Sequence, residues 1–350
     1  MRGRLACAFL IALLSLFLAP IHHVVAQKET KNSSTPAADA AKTDTAGQPA
    51  AAKAGADDKA KPQTADVKTG PEGKIIIGTG VVNVLVSVTD TYGRFVTGLT
   101  QDHFDLFDDK VKQHIHHFTD EDAPISVGIV YDVSGSMKDR IMRSIKALRR
   151  FMETSHEDDD FFLIGFNDRA KLVQDFTTSS EQVVGHLMFV NPKGSTALYD
   201  AAYLAVEKVA QGRHQKKALL IISDGQDNNS RYTYKELRNR VKEADVQIYC
   251  IGITDPASDS LAGYGRGVLE EISRMTGGRS FFPNAYNEPE LVEICTRIAL
   301  ELRHQYSIGF YPSDMTSDAK WHKVMVKVNP PKGLGRLSLS YRDGYQSFKK

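Results

Sequence analysis

The amino-acid sequence predicts an α/β protein whose doubly wound, mostly parallel sheet is inserted in a small β-sandwich-like domain. Between residues 123 and 303, short apolar runs alternate with amphipathic stretches, which is the pattern of parallel strands joined by covering helices. The flanks, residues 73–122 and 304–350, contain only short strand patterns separated by glycine and proline. Because either flank is too small to form a stable sheet domain alone, we expect the two flanks to pair.

The first 26 residues have the pattern of a secretory signal. Arg2 and Arg4 precede an apolar block that extends to Pro20, and the segment ends in small residues at Ala26. This block is shorter than the roughly 20 apolar residues that a membrane span needs, and no later stretch approaches that length. We expect cleavage near Ala26, a mature chain without a membrane span, and a secreted or periplasmic protein of the cell envelope. An uncleaved N-terminal anchor is the alternative.

Residues 27–72 are rich in alanine, lysine, threonine and proline and hold almost no large apolar side chain. Such a segment cannot bury enough surface to offset its chain entropy, so it is predicted to be a disordered tether. Loss of Arg2 and Arg4 with the signal, which contains no acidic residue, changes the formal net charge from +1 to −1. A nearly neutral mature chain gives no indication of a nucleic-acid partner.

The N-terminal flank has its clearest strand pattern at residues 82–88, followed by a turn at 90–93. His114 and His116 share one face of a later run and have the spacing of a metal-binding pair. No third ligand is evident in the sequence, so a half-exposed strand face is the favoured interpretation. The C-terminal flank is predicted to form three strands, at residues 305–311, 323–328 and 337–341.

The central segment supplies the strands of the parallel sheet and its covering helices. Strands are predicted at residues 125–130, 161–166, near 172, 218–222 and 246–251. Helices are predicted at residues 140–154, 196–210, 234–244, 268–275 and 288–303. Cys250 lies in a strand pattern and Cys295 in a helical one, and the sequence leaves open whether they form a disulfide or remain buried thiols.

Oxygen-bearing side chains occur in three loops that a parallel sheet would bring to one edge, because each loop follows a strand or opens a helix there. These candidate metal ligands are Asp132, Ser134, Ser136, Thr196 and Asp224. Two carboxylates and three neutral hydroxyls suit a hard divalent cation, so Mg²⁺ is the expected ion, with Mn²⁺ or Ca²⁺ as alternatives. Both carboxyls are expected to be fully ionised near neutral pH, which would balance the ion and leave it able to accept one more carboxylate.

The order Asp-x-Ser-x-Ser, a distant Thr and a distant Asp resembles the metal-ion-dependent adhesion site of the von Willebrand factor type A family. All five positions of that pattern are present here. The resemblance implies a Mg²⁺ bound directly by the serines and partly through water by the aspartates, with a sixth position filled by an Asp or Glu of a bound protein. In some members the last helix shifts on ligand binding, which would be residues 288–303 in this chain.

A wider resemblance, to the bacterial secreted proteins called VWFA-related, covers nearly everything after the predicted tether. The segments that carry it are residues 86–90, 93, 96–100, 104–109, 303–312 and 342–345. In that family a type A domain follows a short β segment, and the molecular role is poorly defined. The wider resemblance therefore implies an architecture and does not identify a partner.

The favoured function is a non-catalytic, secreted or envelope-associated module that binds an acidic side chain of a protein partner through Mg²⁺. A structural subunit of an envelope assembly, whose metal loop serves only the fold, is the second hypothesis. A Mg²⁺-dependent phosphohydrolase is disfavoured, because Ser134 replaces the general acid in the Asp-x-Asp-x-Thr motif of haloacid dehalogenase-like phosphatases. A serine hydrolase is disfavoured because the Gly-x-Ser-x-Gly elbow is missing.

Two further segments have more than one interpretation. Residues 156–160 are acidic enough for a calcium loop, but their place between a helix and a strand favours a solvated connection. Residues 227–229 would either shape the rim of the metal site or form a simple turn, and the sequence does not decide between these.

Overall fold

The structure is a computed structural model that describes residues 80–253, 262–284, 286–313 and 320–347. The predicted signal at residues 1–26 and the predicted tether at 27–72 lie outside these ranges. Within them, no helix combines the length and the apolar character that crossing a membrane requires.

The described part of the chain forms fourteen strands and six α-helices. The strands are β1 (Val82–Thr89), β2 (Phe104–Asp108), β3 (Val111–Gln113), β4 (Ile115–Thr119), β5 (Ile125–Asp132), β6 (Asp160–Phe166), β7 (Ala170–Thr177), β8 (Lys216–Ser223), β9 (Gln247–Gly252), β10 (Ser280–Phe281), β11 (Gln305–Phe310), β12 (Trp321–Val328), β13 (Ser338–Ser340) and β14 (Gly344–Gln346). The helices are α1 (Ile141–Thr154), α2 (Ser180–Met188), α3 (Leu198–Val209), α4 (Tyr234–Glu243), α5 (Ala262–Thr276) and α6 (Glu288–Arg303).

Six strands form the central sheet, in the order β10-β9-β8-β5-β6-β7. All neighbours in this sheet pair in parallel except β6 and β7, which are antiparallel. The fully buried β5 has β6 on one side and β8 on the other, so the direction in which successive strands are added reverses at β5. In sheets of this kind, ligands bind at the carboxyl ends of the two strands where that reversal occurs, which here are β5 and β8.

Helices cover both faces of the central sheet, as the sequence predicts. On one face α1, α2 and α6 pack on the strands, with Leu148 and Ile298 in the shared core. On the other face α3, α4 and α5 enclose a second core that includes Val206 and Leu269. The helices follow from their sequence because their apolar residues recur every three to four positions and form one buried stripe.

Cys250 and Cys295 are both buried free thiols. Cys250 lies in β9 and packs in the core under α3, α4 and α5, whereas Cys295 lies in α6 and packs in the core on the opposite face. Burial raises the pKa of Cys295 to about 12 and also raises the pKa of Cys250. Because the sheet separates the two side chains, they do not form the disulfide that the sequence left open.

The two flanks pair with each other, as expected. In the pairing of β1 with β11, Val84 lies opposite Ile308, and in the pairing of β2 with β12, Leu106 lies opposite Val326. These strands belong to two four-stranded sheets, β13-β1-β11-β4 and β14-β12-β2-β3. Side chains from both sheets share one apolar core, which gives the β-sandwich-like arrangement into which the α/β segment is inserted.

The chain enters the α/β segment before β5 and leaves it after α6, and these two crossings are adjacent. The Arg303 guanidinium forms an ion pair of 2.5 Å with the Asp122 carboxylate. The domain limits proposed from the sequence, 73–122 with 304–350 and 123–303, fall at this ion pair and remain a prediction.

The structure adds α2, β10 and β14 to the predicted elements and extends α5. The two added strands have two and three residues, too few to show a period of two in the sequence. α5 begins at Ala262, before the predicted start at residue 268. The prediction missed the first turns because they contain Gly263, Gly265 and Gly267. Glycine has a low helix propensity, so the sequence masks this part of the helix.

Candidate functional site

Asp132 lies at the crevice between the carboxyl ends of β5 and β8. It is the last residue of β5 and is completely buried. Its Oδ2 accepts a hydrogen bond of 2.7 Å from the hydroxyl of Ser223, the last residue of β8. Its Oδ1 accepts a hydrogen bond of 2.9 Å from the Ser134 amide. The neighbouring strand and the following loop therefore fix the orientation of this carboxylate.

The loop after β5 places two hydroxyls beside Asp132. Ser134 is buried and Ser136 is exposed, and their Oγ atoms are 3.0 Å apart. A short 3-10 helix, Gly135–Met137, forms this part of the loop, and the buried Met137 anchors it in the core. α1 begins only at Ile141, so the 3-10 helix is the helical turn nearest the two serines.

The segment that carries Thr196 is held against the same loop. The Gly135 amide donates a hydrogen bond of 3.1 Å to the Gly194 carbonyl. Gly194 has a φ of +83°, and a Cβ at this position would lie 2.6 Å from Oδ2 of Asp168, so the close approach requires glycine. Asp168 also accepts a hydrogen bond of 2.7 Å from the Ser195 amide. Asp168 thus orders the turn that leads into Thr196.

Residues 227–229 hold the Thr196 segment from the other side. The Asn228 side-chain carbonyl accepts a hydrogen bond of 2.8 Å from the Thr196 amide, and the Asn228 amide donates to the Thr196 carbonyl at 3.0 Å. Asp227 accepts a hydrogen bond of 2.9 Å from the Tyr199 amide in the first turn of α3. These residues therefore support the site and the start of α3, an arrangement more specific than the simple turn that the sequence allowed.

Asp224 directly follows β8 and is buried. Its Oδ1 accepts a hydrogen bond of 3.1 Å from the Gln226 amide. Gly225 has a φ of +82°, and its backbone packs so closely on Gly265 of α5 that a Cβ on either glycine would overlap the carbonyl group of the other. This pair of glycines fixes the Asp224 loop against α5.

The crevice carries uncompensated negative charge. Burial, and then the nearby Asp224 carboxylate, raise the pKa of Asp132 to about 6. Neither carboxylate takes part in the ion pairs formed among the described residues. Without a bound cation, Asp132 therefore loses its proton less readily than the ordinary carboxyl that the sequence led us to expect. Two buried acidic groups without a cationic partner are a donor set that fits a divalent ion.

The structure brings the three predicted loops to one edge of the sheet. The side chains on these loops are Asp132, Ser134, Ser136, Thr196 and Asp224. Sequence reasoning did not select Ser223 or Asp168, which help to position them, whereas it named residues 227–229 as a possible rim of the site. Ser223 could have been identified from the sequence, because it ends a strand that neighbours β5. Asp168 depends on loop geometry that has no periodic pattern in the sequence.

The other candidate features serve different parts of the molecule. His114 and His116 do share a face, with ring centroids 4.7 Å apart, but among the described residues no third Asp, Glu, Cys or His completes a metal site there. Asp159 accepts hydrogen bonds from the Ile125 and His156 amides at 2.8 and 3.0 Å. Residues 156–160 thus form the expected connection, and its buried carboxylate is used internally.

Exposed apolar side chains lie on segments next to the site loops. Met142 in the first turn of α1, Phe189 at the end of α2 and Tyr264 in the first turn of α5 are 62%, 91% and 64% exposed. α1 follows the loop with the two serines, α2 precedes the Thr196 segment, and α5 contacts the Asp224 loop through Gly265. Each site loop thus has an exposed apolar side chain on an adjoining or contacting element.

Known proteins share this fold. The sequence model of the von Willebrand factor type A domain matches residues 126–293. An uncharacterised protein of Borreliella burgdorferi is 25% identical over 187 residues, which are 46% of this chain and 54% of that protein. The chain therefore spans about half the length of this relative.

Three examples illustrate the solved structures to which this one is similar. The conserved hypothetical protein BatB from Bacteroides thetaiotaomicron has 18% identity and a TM-score of 0.42, over 51% of this chain and 98% of that chain. The vWF domain of the type V pili tip protein Mfa5 from Porphyromonas gingivalis has 13% identity and a TM-score of 0.42, over 51% and 96%. A von Willebrand factor type A protein from Catenulispora acidiphila has 13% identity and a TM-score of 0.45, over 69% and 73%.

Proposed function

We propose, from the premise that this chain carries a von Willebrand factor type A domain, that it binds an acidic side chain of a protein partner through a Mg²⁺ between β5 and β8. The observation that carries the proposal is the pair of buried carboxylates, Asp132 and Asp224, which have no cationic side chain beside them within the described ranges. Burying such charges is costly unless a counter-charge is supplied. A divalent cation would supply it.

Five oxygen-bearing side chains are the candidate ligands for that cation. The residues that would hold it are Asp132, Ser134, Ser136, Thr196 and Asp224. When bound, Mg²⁺ provides a Lewis-acidic position that an oxygen of the partner's Asp or Glu can occupy, and Mn²⁺ or Ca²⁺ would offer the same chemistry. Two carboxylates neutralise the ion, so one more carboxylate is accepted without a large excess of charge. The N-terminus of α3, which begins two residues after Thr196, adds partial positive charge.

The apolar side chains around the site would add contact area for a protein. Met142, Phe189 and Tyr264 are exposed on three different elements around the loops. Protein interfaces use aromatic and methionine side chains to bury area around a central polar contact. The metal would select the partner's carboxylate and the three side chains would contribute affinity.

The proposed role is non-catalytic. The Ser134 hydroxyl lies next to the Ser136 hydroxyl, and no described histidine forms a hydrogen bond with either serine, so the Ser-His pair of a serine hydrolase is not formed among the described residues. We place the protein outside the cytoplasm, secreted or at the cell envelope after cleavage near Ala26. A structural role is the second candidate, because the hydrogen bonds of Asp132 with Ser134 and Ser223 also join β5 to β8.

The test uses immobilised peptides that differ only in a central Asp, Glu, Asn or Gln. The purified full chain should be retained by the Asp and Glu peptides in Mg²⁺ and released by EDTA. Asp132→Asn should abolish retention, while Asp158→Asn, which changes an exposed acid outside the crevice, should leave it unchanged. Retention that is equal in EDTA or equal on the amide peptides would contradict the proposal. Mg²⁺ binding without any peptide retention would support the structural role instead.

A further inference from the structure

A group of side chains of the types that can bind metal ions lies in the sheet β14-β12-β2-β3, away from the central sheet. Asp108, Asp109 and His322 each place one ligand atom within 4.8 Å of the others. Asp108 and His322 are buried and Asp109 is exposed. None of these residues belongs to the crevice between β5 and β8, so the group is independent of the proposed Mg²⁺ site.

The strand register brings these residues together from distant parts of the chain. Asp108 ends β2 and lies opposite Val324 of β12, and its side chain is on the buried face with Leu106. His322 is two residues before Val324, on the same buried face of β12, and lies opposite Tyr345 of β14. The imidazole is therefore diagonal to the Asp108 carboxylate across the pair of strands.

Asp109 reaches the same place through an unusual turn. Asp109 and Lys110 form the two-residue turn between β2 and β3, with φ values of 44° and 75°. Turns of this kind usually contain Asn or Gly, because two side chains with positive φ are strained. In an extended strand the side chain after Asp108 would point to the opposite face. The left-handed backbone of Asp109 ends that alternation at this position.

Each carboxylate uses one oxygen for a supporting hydrogen bond and directs the other at the imidazole. Oδ2 of Asp108 accepts a hydrogen bond of 2.8 Å from the Tyr345 hydroxyl, and Oδ1 of Asp109 accepts one of 2.9 Å from the Lys323 amide. The remaining oxygens, Oδ1 of Asp108 and Oδ2 of Asp109, lie 3.4 and 3.2 Å from Nδ1 of His322. In a tetrahedral zinc site with bonds of about 2.0–2.1 Å, neighbouring ligand atoms are about 3.3 Å apart.

The inner oxygen of Asp108 has no hydrogen-bond partner among the described residues, although the residue is only 4% exposed. Buried carboxylate oxygens are normally satisfied, so an orphaned one that faces an imidazole nitrogen and a second carboxylate indicates a missing ligand. The His322 ring is also held in place, because it stacks on Tyr345 with ring centroids 5.2 Å apart and an angle of 18°. Such outer contacts orient metal ligands in proteins.

We propose that Asp108, Asp109 and His322 form a binding site for a first-row transition metal ion, with Zn²⁺ as the preferred ion. One imidazole and two carboxylates form a mixed nitrogen and oxygen donor set, which suits Zn²⁺ better than Mg²⁺. The two negative charges balance a divalent ion, and a fourth position is left for water or for a donor from outside. The ion joins the turn between β2 and β3 to β12, and so links the N-terminal flank to the C-terminal flank.

The alternative is a protonated His322 that forms ion pairs with both carboxylates and binds no metal. The two possibilities differ in their metal dependence. The test is a titration of the metal-free full chain with Zn²⁺, and with Co²⁺ as a spectroscopic probe whose visible absorption reports tetrahedral coordination. Both titrations contain excess Mg²⁺, so that the oxygen ligands of the crevice are not available to the probe.

The variants are His322→Gln and Asp109→Asn, with His186→Gln as the matched control because His186 is exposed on α2. Asp109 is half exposed, so its conversion to Asn should fold even if a change at His322 does not. We expect one tight equivalent of Zn²⁺ in the wild type and in His186→Gln, and at least a 100-fold weaker affinity in both site variants. Tyr345→Phe, which removes the supporting hydrogen bond to Asp108, should weaken Zn²⁺ binding about tenfold.

The absence of a tight Zn²⁺ equivalent in the folded wild type would overturn the proposal in favour of the protonated histidine. So would an equivalent that is unchanged in Asp109→Asn. A tetrahedral Co²⁺ spectrum in the wild type that is lost in Asp109→Asn, with far-ultraviolet dichroism unchanged, would establish the site.

Discussion

The crevice between β5 and β8 and the Asp108, Asp109 and His322 group differ in almost every physical respect. The crevice offers only oxygen atoms, lies where parallel strands end, and is built from the last residue of β5 and from loops. The second group includes a nitrogen, lies in an antiparallel sheet, and is built from strand residues and one strained turn. Both contain a buried aspartate without a cationic lysine or arginine partner among the described residues. The ligand chemistry therefore predicts different ions, Mg²⁺ for the crevice and Zn²⁺ for the sheet.

The comparison also shows which kind of site a sequence reveals. Three of the five crevice residues stand within five positions of one another, and parallel topology predicts that the other two loops reach the same edge. The second group requires Val324 to lie opposite Asp108, a register between strands far apart in the chain. A shift of one residue would turn His322 to the other face, so no pattern in the sequence alone identifies this site.

The largest expected effect is the loss of stabilisation by Mg²⁺ when the charge of Asp132 is removed from the crevice. Asp132→Asn keeps the size of the side chain. Its oxygen can accept the hydrogen bond from the Ser134 amide, and its NH2 group can donate to the Ser223 hydroxyl in place of the bond that this hydroxyl now donates. At Mg²⁺ about 100 times above its Kd, the wild type should gain about 2.7 kcal/mol, a rise in Tm of about 5–10 °C. The variant should show no such rise. Without metal it should be at least as stable as the wild type at pH 7, because it removes a buried charge.

Thermal unfolding with and without Mg²⁺ measures both effects, and Asp158→Asn serves as the control. A Mg²⁺-dependent rise in Tm that persists in Asp132→Asn would show that the stabilising Mg²⁺ does not bind in the crevice. A metal-free variant much less stable than the wild type would mean that Asp132 serves the fold through its hydrogen bonds, as the structural hypothesis holds.

The second prediction concerns pH. The folded-state pKa of Asp132, about 6, is higher than its ordinary value of 3.8 because of burial and then Asp224. This carboxyl therefore favours the folded state at low pH, and that contribution is lost as pH rises from about 4 to about 6. Mg²⁺ requires the ionised form, so its affinity should weaken about tenfold between pH 7 and pH 5.

Calorimetric titrations at several pH values test this dependence. An affinity that is constant from pH 5 to pH 7 would show that Asp132 is already ionised throughout and that the crevice is less desolvated than the structure indicates.

The third prediction distinguishes the role of the Thr196 hydroxyl from the role of the Thr196 backbone. The hydrogen bonds that hold Thr196 to Asn228 use the backbone amide and carbonyl of Thr196. Thr196→Ala should therefore fold normally and weaken Mg²⁺ binding about tenfold, the lower end of what a metal-site contact contributes. Thr196→Ser keeps the hydroxyl and should bind within about threefold of the wild type. Equal affinities for the Ala and Ser variants would exclude the hydroxyl as a ligand.

The smallest effects are expected when the metal affinity of one site is measured in a variant of the other site. Zn²⁺ affinity in Asp132→Asn, and Mg²⁺ affinity in His322→Gln, should remain within about twofold of the wild type, because changes at distant sites without shared partners are usually independent. Equilibrium dialysis with each metal measures this. A large cross effect would mean that the two sites are coupled through the packing between the sheets, and the comparison would have to be revised.

Most of the fold was predictable from the sequence, and the failures have physical causes. Helix α6 has the bounds that its pattern predicts, since Asn287 caps it and its apolar residues are periodic. Helix α2 was not predicted, because its short length and three buried residues give a weak pattern. The raised pKa of Asp132 was also not predictable, because it depends on burial and on the position of Asp224 in three dimensions.

The most direct measurement is calorimetric titration of Mg²⁺ into the zinc-loaded wild-type protein at pH 7, alongside the folded Asp132→Asn variant. We expect one equivalent of Mg²⁺ in the wild type and none in the variant. No binding in the wild type, or the same binding in Asp132→Asn, would contradict the assignment of the crevice as the magnesium site.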